Sequence, residues 1–338
     1  MPAARLRVLA PIAVLALVLT ACGGGGGGSG VGLGGQTTPS STTPPTSAAT
    51  TGTLHIGVAP FHLPAPVSRE VLLTDGHQLI ALGGLDAAKT TTGAVNVVDL
   101  SSGAARAFGA LSVPVHDAAG VLLGGRYLVI GGGSTATHPE VQALAASGGT
   151  SQTIANLPQP RADLVATIVN GTAYALGGGQ EASALLLNVV ASTDGVTWRP
   201  AGSLAAPVRY PGVAVVGGAI YLFGGVSTAQ GSDTASIQRY DPATGATQIV
   251  AQLPAPLSHT TAVVLGSAVY LLGGFVNDVI SNQVLRVDLP SGTVTPAGSL
   301  PAAISDAAAV TVGRTAYVAG GQGATSAPVD TVLTLSLG

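Results

Sequence analysis

The sequence predicts an all-β fold built from six copies of one unit, and three observations carry this prediction. A pair of glycines ends an apolar run six times, and the first glycines of these pairs are Gly83, Gly131, Gly177, Gly224, Gly273 and Gly320. The pairs are 46 to 49 residues apart, which is typical of propeller blades with four strands each. Short β-branched runs separated by turn residues fill each unit, and no helical period is present. We therefore expect a six-bladed β-propeller over residues 53–338.

The same four strands, in the same order, are predicted for every unit. A Leu-Pro-x-Pro stretch such as 157–160 precedes an apolar inner strand, and a tight turn such as Asn170-Gly171 leads into the second strand. The second strand ends at the double glycine, and a variable loop follows it. The third strand, for example Ser236 to Tyr240, then reaches a glycine-containing turn and the fourth strand.

The two ends of the repeat region predict how the ring closes. After Gly321 the chain has room for one more strand, Asp330 to Leu337, so the last blade lacks a fourth strand. An unassigned strand, Thr53 to Val58, lies before the first unit. We expect this N-terminal strand to complete the last blade, because closure protects strand edges from pairing with other chains.

One unit carries a recognisable family pattern. The stretch from Gln238 to Gly274 holds a Tyr-Asp-Pro turn, a Leu-Pro pair and an aromatic residue before Gly-Gly. It resembles the kelch family, and the resemblance extends in register over residues 53–338. It implies a kelch-type six-bladed β-propeller and leaves the activity open, because propellers of this kind serve many roles.

The first residues resemble a bacterial lipoprotein signal. Arg5 and Arg7 precede an apolar stretch, Val8 to Leu19, of about a dozen residues, which is too short to span a membrane. The stretch ends in Leu19-Thr20-Ala21-Cys22, which resembles the lipobox, and Cys22 is the only cysteine in the chain. We expect residues 1–21 to be a signal peptide and Cys22 to be lipidated. The protein would then lie in the bacterial cell envelope, anchored on the outer side of the cytoplasmic membrane.

Residues 22–52 are predicted to be a tether. After Cys22 they consist almost entirely of Gly, Ser, Thr, Pro, Gln and Ala. Such a segment cannot bury enough apolar area to offset its ordering entropy. We expect it to be disordered and to hold the folded domain away from the membrane.

Composition excludes several function classes. Charged residues make up 8% of the chain, with 12 basic and 15 acidic side chains and a net charge of −3. This balance provides no cationic surface for nucleic acid. A single cysteine excludes an intramolecular disulfide framework and a multi-cysteine metal site. No dinucleotide or phosphate-binding glycine loop is present, so we expect no cofactor.

Aligning the units on their double glycines reveals a polar position in every inner strand. The residue fourteen places before each pair is polar or ionisable in all six units: Arg69, Asp117, Asp163, Tyr210, His259 and Asp306. His116, Arg161 and Arg209 lie one or two residues earlier and could flank them. Because the inner strands line a propeller's channel, we expect a ring of side chains at the channel mouth. The long second-to-third strand loops share that face, which is the candidate binding surface.

Two interpretations of this ring stay open. It binds a ligand, or its polar groups bond to backbone at the strand starts and hold the blades together. A metal site from His116, Asp117, Asp163 and His259 is disfavoured, because these residues lack the short fixed spacing of zinc ligands. Ser192 to Trp198 resembles a sialidase Asp-box, but we interpret it as a structural turn closed by the aspartate.

We expect the chain to act as a monomeric, non-catalytic binding module for a protein or glycan partner. The alternative is a sugar or sugar-acid enzyme resembling kelch-type sialic acid mutarotases, with channel-mouth Asp, His or Arg as acid and base. An enzyme requires two such groups within reach of one substrate in a closed pocket.

Overall fold

The computed structural model describes residues 52–180, 184–228, 231–289 and 291–338. All regular structure in these residues is β-strand, and the strands form six blades, each built on four antiparallel strands. The predicted all-β, six-bladed propeller is confirmed. A search of these same ranges for a helix long and apolar enough to cross a membrane finds none. The predicted signal peptide, Cys22 and all but the last residue of the tether lie outside the described residues.

The blades are numbered in chain order, and their strands are given from the channel outward. Blade 1 comprises Val71–Thr74, Gln78–Leu82, Ala94–Asp99 and Ala105–Ala110; blade 2 comprises Ala119–Leu123, Arg126–Ile130, Glu140–Ala145 and Gln152–Asn156; blade 3 comprises Ala162–Val169, Thr172–Gly179, Asn188–Ser192 and Arg199–Ser203. Blade 4 comprises Gly212–Val216, Ala219–Phe223, Ser236–Asp241 and Ala246–Gln252; blade 5 comprises Thr261–Leu265, Ala268–Leu272, Gln283–Asp288 and Thr293–Ser299; blade 6 comprises Ala308–Val312, Thr315–Ala319, Val329–Leu337 and Leu54–Val67.

Three short additions complete the sheets. Gly149–Thr150 pairs in parallel with the outer strand of blade 1. A hairpin of Phe275–Val276 and Val279–Ile280 lies in the second-to-third strand loop of blade 5. Ile304–Ser305 pairs with Gln322–Gly323 beside blade 6.

The N-terminal strand closes the ring as predicted. Leu54 pairs with Leu337, and the antiparallel register continues to Val58 opposite Leu333. The strand is longer than expected: it runs on to Val67 with register shifts after Val58. The Leu63 to Pro66 stretch therefore lies within this strand. Its prolines lack an N–H, and they are tolerated because the strand is the outermost of its blade.

The double glycines lock neighbouring blades together. A Cβ on the first glycine would lie between 2.0 Å (Gly224, from Leu257 O) and 2.7 Å (Gly320, from Val67 O) from a carbonyl oxygen in the segment that leads into the next blade. The second glycine of each pair donates its N–H to the same carbonyl at 2.7 to 2.9 Å. Only glycine permits this approach, because any side chain would collide with the neighbouring backbone.

The apolar core lies between the faces of adjacent blades. In one such cluster Leu128 of blade 2 packs with Val190 and Trp198 of blade 3. Alternate residues of each strand point to opposite faces of the blade, so each sheet packs against both neighbouring blades. This packing fixes the inner strands around a common axis and sets the channel mouth.

A candidate binding site at the channel mouth

The six polar positions predicted from the internal alignment form one closed ring. All six residues have a left-handed backbone, with φ between 52° and 61°. The N–H of each donates to the carbonyl oxygen of its equivalent in the preceding blade at 2.9 to 3.1 Å, and Arg69 closes the circle by donating to Asp306. We call these residues the mouth ring: Arg69, Asp117, Asp163, Tyr210, His259 and Asp306.

Part of the polar enrichment has a local cause. A left-handed backbone is uncommon for residues with a Cβ, and Asp and His are enriched among those that adopt it. The ring of backbone hydrogen bonds also joins all six blades. The interpretation that these positions hold the blades together is therefore supported by their backbone, and the side chains remain available for another role.

Arg69 ties the mouth together. Its Nη1 lies 3.0 Å from Asp117 Oδ2, and its Nε lies 3.5 Å from Asp306 Oδ1. Nη1 also donates to the Tyr210 hydroxyl oxygen at 3.3 Å, and that hydroxyl donates to Asp117 Oδ2 at 3.2 Å. The guanidinium of Arg69, at the start of blade 1, thus contacts residues of three other blades.

A second group lies beside this bridge. The rings of Tyr210 and His259 stack with centroids 3.9 Å apart. Arg209 Nη1 lies 3.4 Å from Asp163 Oδ2, and its guanidinium carbon lies 5.6 Å from the Tyr210 ring centroid. The rings of Phe275 and His259 form a T-shaped pair with centroids 5.1 Å apart, so the hairpin of blade 5 packs against that side of the mouth.

Burial shifts the protonation of the ring. Burial is the main cause that raises the pKa of Asp117 and of Asp163 to about 6 each, although Arg69 and Arg209 act in the other direction. It also raises the pKa of Asp306. Burial, followed by the charges of Arg69 and Arg209, lowers the pKa of His259 to about 3. His259 is therefore neutral at pH 7.

Two spaces adjoin the mouth ring. An axial cavity of about 240 Å³ is lined by all six ring residues and by the inner strands. A larger cleft of about 880 Å³ opens between blades 2 and 3, and we call it the blade 2–3 cleft. It is lined by Arg69, His116, Asp117, Gly133, Ser134, Thr135, Ala136, Thr137, Pro160, Ala162, Asp163, Gly179, Gln180, Ala184 and Tyr210.

The sixfold ring thus carries a one-sided site. Arg69, Asp117, Asp163 and Tyr210 line both spaces, whereas His259 and Asp306 line the axial cavity but not the cleft. The cleft walls come from the second-to-third strand loops of two blades, on the face that the sequence predicts for binding.

The three flanking residues have different positions. His116 lines the cleft, with Nδ1 2.8 Å from Thr91 Oγ1 and Nε2 3.7 Å from Asp117 Oδ2. Arg209 reaches the ring through Asp163. Arg161 does not flank the mouth, and that expectation is corrected here: it is fully buried and lines neither space. Its Nη2 donates to Asn188 Oδ1 at 3.0 Å, and burial lowers its pKa to about 10.

Glu70 is a buried ionisable residue that the sequence interpretation missed. It follows Arg69 directly and lies against Gly320 of blade 6, where its carboxyl oxygens have no hydrogen-bond partner among the described residues. Burial raises the pKa of Glu70 well above its usual range. The internal alignment could have identified Glu70, because it is the one ionisable residue at its position. The other units have Ala118, Leu164, Pro211, Thr260 and Ala307 there.

Two further motifs can now be placed. In the residues that the structure describes, no group of three or more His, Cys, Asp or Glu side chains comes together to hold a metal ion. The Asp-box-like segment is a structural turn, as interpreted: Asp194 Oδ1 accepts the N–H groups of Val196 and Thr197 at 2.8 and 2.7 Å. Trp198 Nε1 donates to Gly195 O at 3.2 Å and completes the turn.

Comparison with known proteins agrees with this architecture. Residues 207–246, which comprise most of blade 4, match the family model described as Kelch motif. No curated protein matches the chain. The chain is therefore a six-bladed propeller that carries a kelch motif.

Proposed function

We propose that this chain is a non-catalytic binding module that recognises a protein or glycan partner through the blade 2–3 cleft. A lipid on Cys22 would hold it outside the cytoplasmic membrane. The observation that carries the proposal is the cleft itself, which opens over the mouth ring between the long loops of two blades. Its volume of about 880 Å³ falls in the range of about 300 to 1,000 Å³ that ligand sites occupy.

The contacts at the mouth favour binding over catalysis. Each ring aspartate already has a cationic partner: Asp117 and Asp306 share Arg69, and Asp163 pairs with Arg209. Groups held in this way provide a rigid, preorganised surface. A general base, by contrast, must be free to take a proton from a substrate.

The anchor is supported by the sequence alone. The Leu19 to Cys22 motif follows an apolar segment of signal-peptide length, and the glycine-rich tether follows the motif. Replacing Cys22 by Ser in the full chain should move the protein from the membrane fraction to the soluble fraction and abolish palmitate labelling. Retention of the label by the variant would contradict the anchor.

Site-directed cross-linking tests the binding face. A photoreactive residue at Thr135, on the cleft, should capture a partner in intact cells. One at exposed Arg314, in the turn between the first and second strands of blade 6, should not. Equal capture from both positions, or capture from Arg314 only, would contradict a binding face at the cleft.

One observation favours a second candidate, a small-ligand enzyme of the sugar-mutarotase type. Burial brings the pKa of Asp117 and Asp163, which both line the cleft, to about 6. A carboxyl near neutrality can exchange a proton with a substrate. NMR exchange between sugar anomers would reveal this activity, and catalysis lost in Asp163→Asn but kept in exposed Asp278→Asn would favour the enzyme.

A further inference from the structure

Two polar side chains of the blade 2–3 cleft, His116 and Asp163, share one feature: each is held through one atom and has another atom left for a ligand. His116 is held at Nδ1 by the Thr91 hydroxyl, 2.8 Å away. Asp163 is held at Oδ2 by Arg209 Nη1, 3.4 Å away. Side chains fixed by a second contact hold their remaining donor or acceptor in a defined direction, which is what a specific small-molecule site requires.

The free atom of Asp163 is an acceptor. Among the described residues, Asp163 Oδ1 accepts no hydrogen bond of normal geometry, and it is not among the buried unpaired atoms. The Tyr210 hydroxyl interacts with this carboxylate as well as with Asp117 Oδ2, but it has a single proton to donate. A carboxylate offers about four lone-pair sites, so one such donor does not saturate it. Asp163 therefore retains an acceptor oxygen for a ligand.

The free atom of His116 is a donor. When the Thr91 hydroxyl donates to Nδ1, the proton of the neutral ring lies on Nε2. Asp117 Oδ2, 3.7 Å from Nε2, favours the same tautomer. Burial and the charge of Arg69 lower the pKa of His116, whereas the charge of Asp163 acts to raise it.

A donor and an acceptor that face one space match a particular ligand group. A hydroxyl donates and accepts at once, whereas an ammonium group only donates and a carboxylate only accepts. The charges of the mouth also favour an uncharged ligand over an acidic one. The mouth holds three aspartates and two arginines, and both guanidinium groups are already paired. Among the described residues of the cleft, an acidic ligand would therefore meet two carboxylates without an unpaired cation.

From this geometry we infer that the blade 2–3 cleft binds an uncharged carbohydrate, with sugar hydroxyls donating to Asp163 and accepting from His116. The inference rests on the proposed binding function and names its ligand class. The hydroxyls of Ser134 and Thr135 and the Gln180 side chain also line the cleft and suit further sugar hydroxyls.

Calorimetry on the purified chain tests the inference with three matched sets of probes: methyl hexosides, the corresponding hexuronic acids and the corresponding hexosamines. We expect at least one methyl hexoside to bind, and its uronic acid to bind at least about tenfold more weakly. His116→Ala and Asp163→Asn should each weaken hexoside binding by about tenfold, the usual effect of losing one hydrogen bond to a polar site.

Two control variants should leave hexoside binding unchanged. His77→Ala removes an exposed histidine from a turn of blade 1, and Asp278→Asn changes an exposed aspartate that also has a left-handed backbone, with φ 61°. Thermal unfolding of each variant without sugar shows whether the fold is intact. If Asp163→Asn is unfolded, the hexoside affinity of His116→Ala alone tests the inference.

Several results would overturn the inference. A uronic acid that binds as tightly as its hexoside would remove the charge argument. A hexosamine that binds more than tenfold tighter than its hexoside would show that charge and not the hydroxyl is recognised. Hexoside binding insensitive to both variants would place the sugar elsewhere. If no sugar binds but Thr135 captures a protein, the carbohydrate inference fails while the proposed binding function stands.

Discussion

Gly224 of blade 4 faces the backbone of Leu257 in blade 5 so closely that a Cβ on Gly224 would lie 2.0 Å from the Leu257 carbonyl oxygen. The same oxygen accepts the N–H of Gly225 at 2.7 Å. This contact recurs at the blade boundaries, and it gives the double glycine a physical reason. The repeated glycines mark the places where one blade hydrogen-bonds to the next.

A matched pair of glycine substitutions separates this contact from backbone strain. Gly224 and Gly217 have nearly the same φ, 61° and 58°, but a Cβ on Gly217 would meet nothing within 4 Å. Gly217→Ala should cost about 1 kcal/mol from the left-handed backbone alone. Gly224→Ala should cost at least about 2 kcal/mol more, because the blades must separate. Urea unfolding measures both, and equal losses would contradict the contact.

Arg69 is predicted to be the main electrostatic support of the channel mouth. Arg69→Ala leaves Asp117 and Asp306 buried without their shared cation, and a broken buried pair costs about 3 to 5 kcal/mol. Arg239→Ala removes a half-exposed partner of Asp241 and should cost less than about 1 kcal/mol. Urea denaturation of the two variants should differ clearly, and similar midpoints would show that Arg69 does not support the mouth.

The mouth should make stability depend on pH in two opposing ways. The pKa of Asp117 and Asp163 is raised from 3.8 to about 6. Their contribution to the free energy of unfolding is therefore fully present below pH 3.8 and is lost as the pH rises through 6. The pKa of His259 is lowered from 6.5 to about 3, so its contribution is present above pH 6.5 and is lost as the pH falls through 3.

Denaturation between pH 4 and 7 separates these contributions. The double variant Asp117→Asn/Asp163→Asn should lose less stability on going from pH 4 to pH 7 than the parent chain. His259→Gln should lose more over the same interval. Asp306 and Glu70, whose pKa values are also raised, are common to all three proteins. Parallel curves for the three proteins would contradict this assignment.

Gln238 is predicted to fasten blade 4 to the loop before it. Its Oε1 accepts the Ala206 N–H at 3.0 Å, and its Nε2 donates to the Ala206 carbonyl at 3.0 Å. Gln238→Glu would bury a carboxylate oxygen against that carbonyl, at a cost of about 2 to 4 kcal/mol. Gln252→Glu, on the exposed outer strand of the same blade, should be nearly neutral. Equal effects in thermal denaturation would rule out this role.

Most of the architecture follows from local sequence signals. The glycine pairs, the turn residues and the apolar runs each act over a few positions, and six copies reinforce the period. The unpaired strands at the two ends were sufficient to predict that an N-terminal strand, Thr53 to Val58, completes blade 6, although the strand in the structure runs from Leu54 to Val67. The ring of polar residues was also accessible, because internal alignment shows Arg69 and its equivalents at one position.

Tertiary structure alone decided how that ring becomes a site. Arg161 and Arg209 both lie just before a mouth-ring residue in the sequence. In the structure Arg161 is buried against Asn188, whereas Arg209 contacts Asp163. The cleft opens at blades 2 and 3, while Phe275 packs over His259 on the blade 5 side. Repeat signals specify each blade by short-range patterns, which are nearly the same in all six. The asymmetry arises from contacts between side chains of different blades, far apart in the chain, which no local pattern encodes.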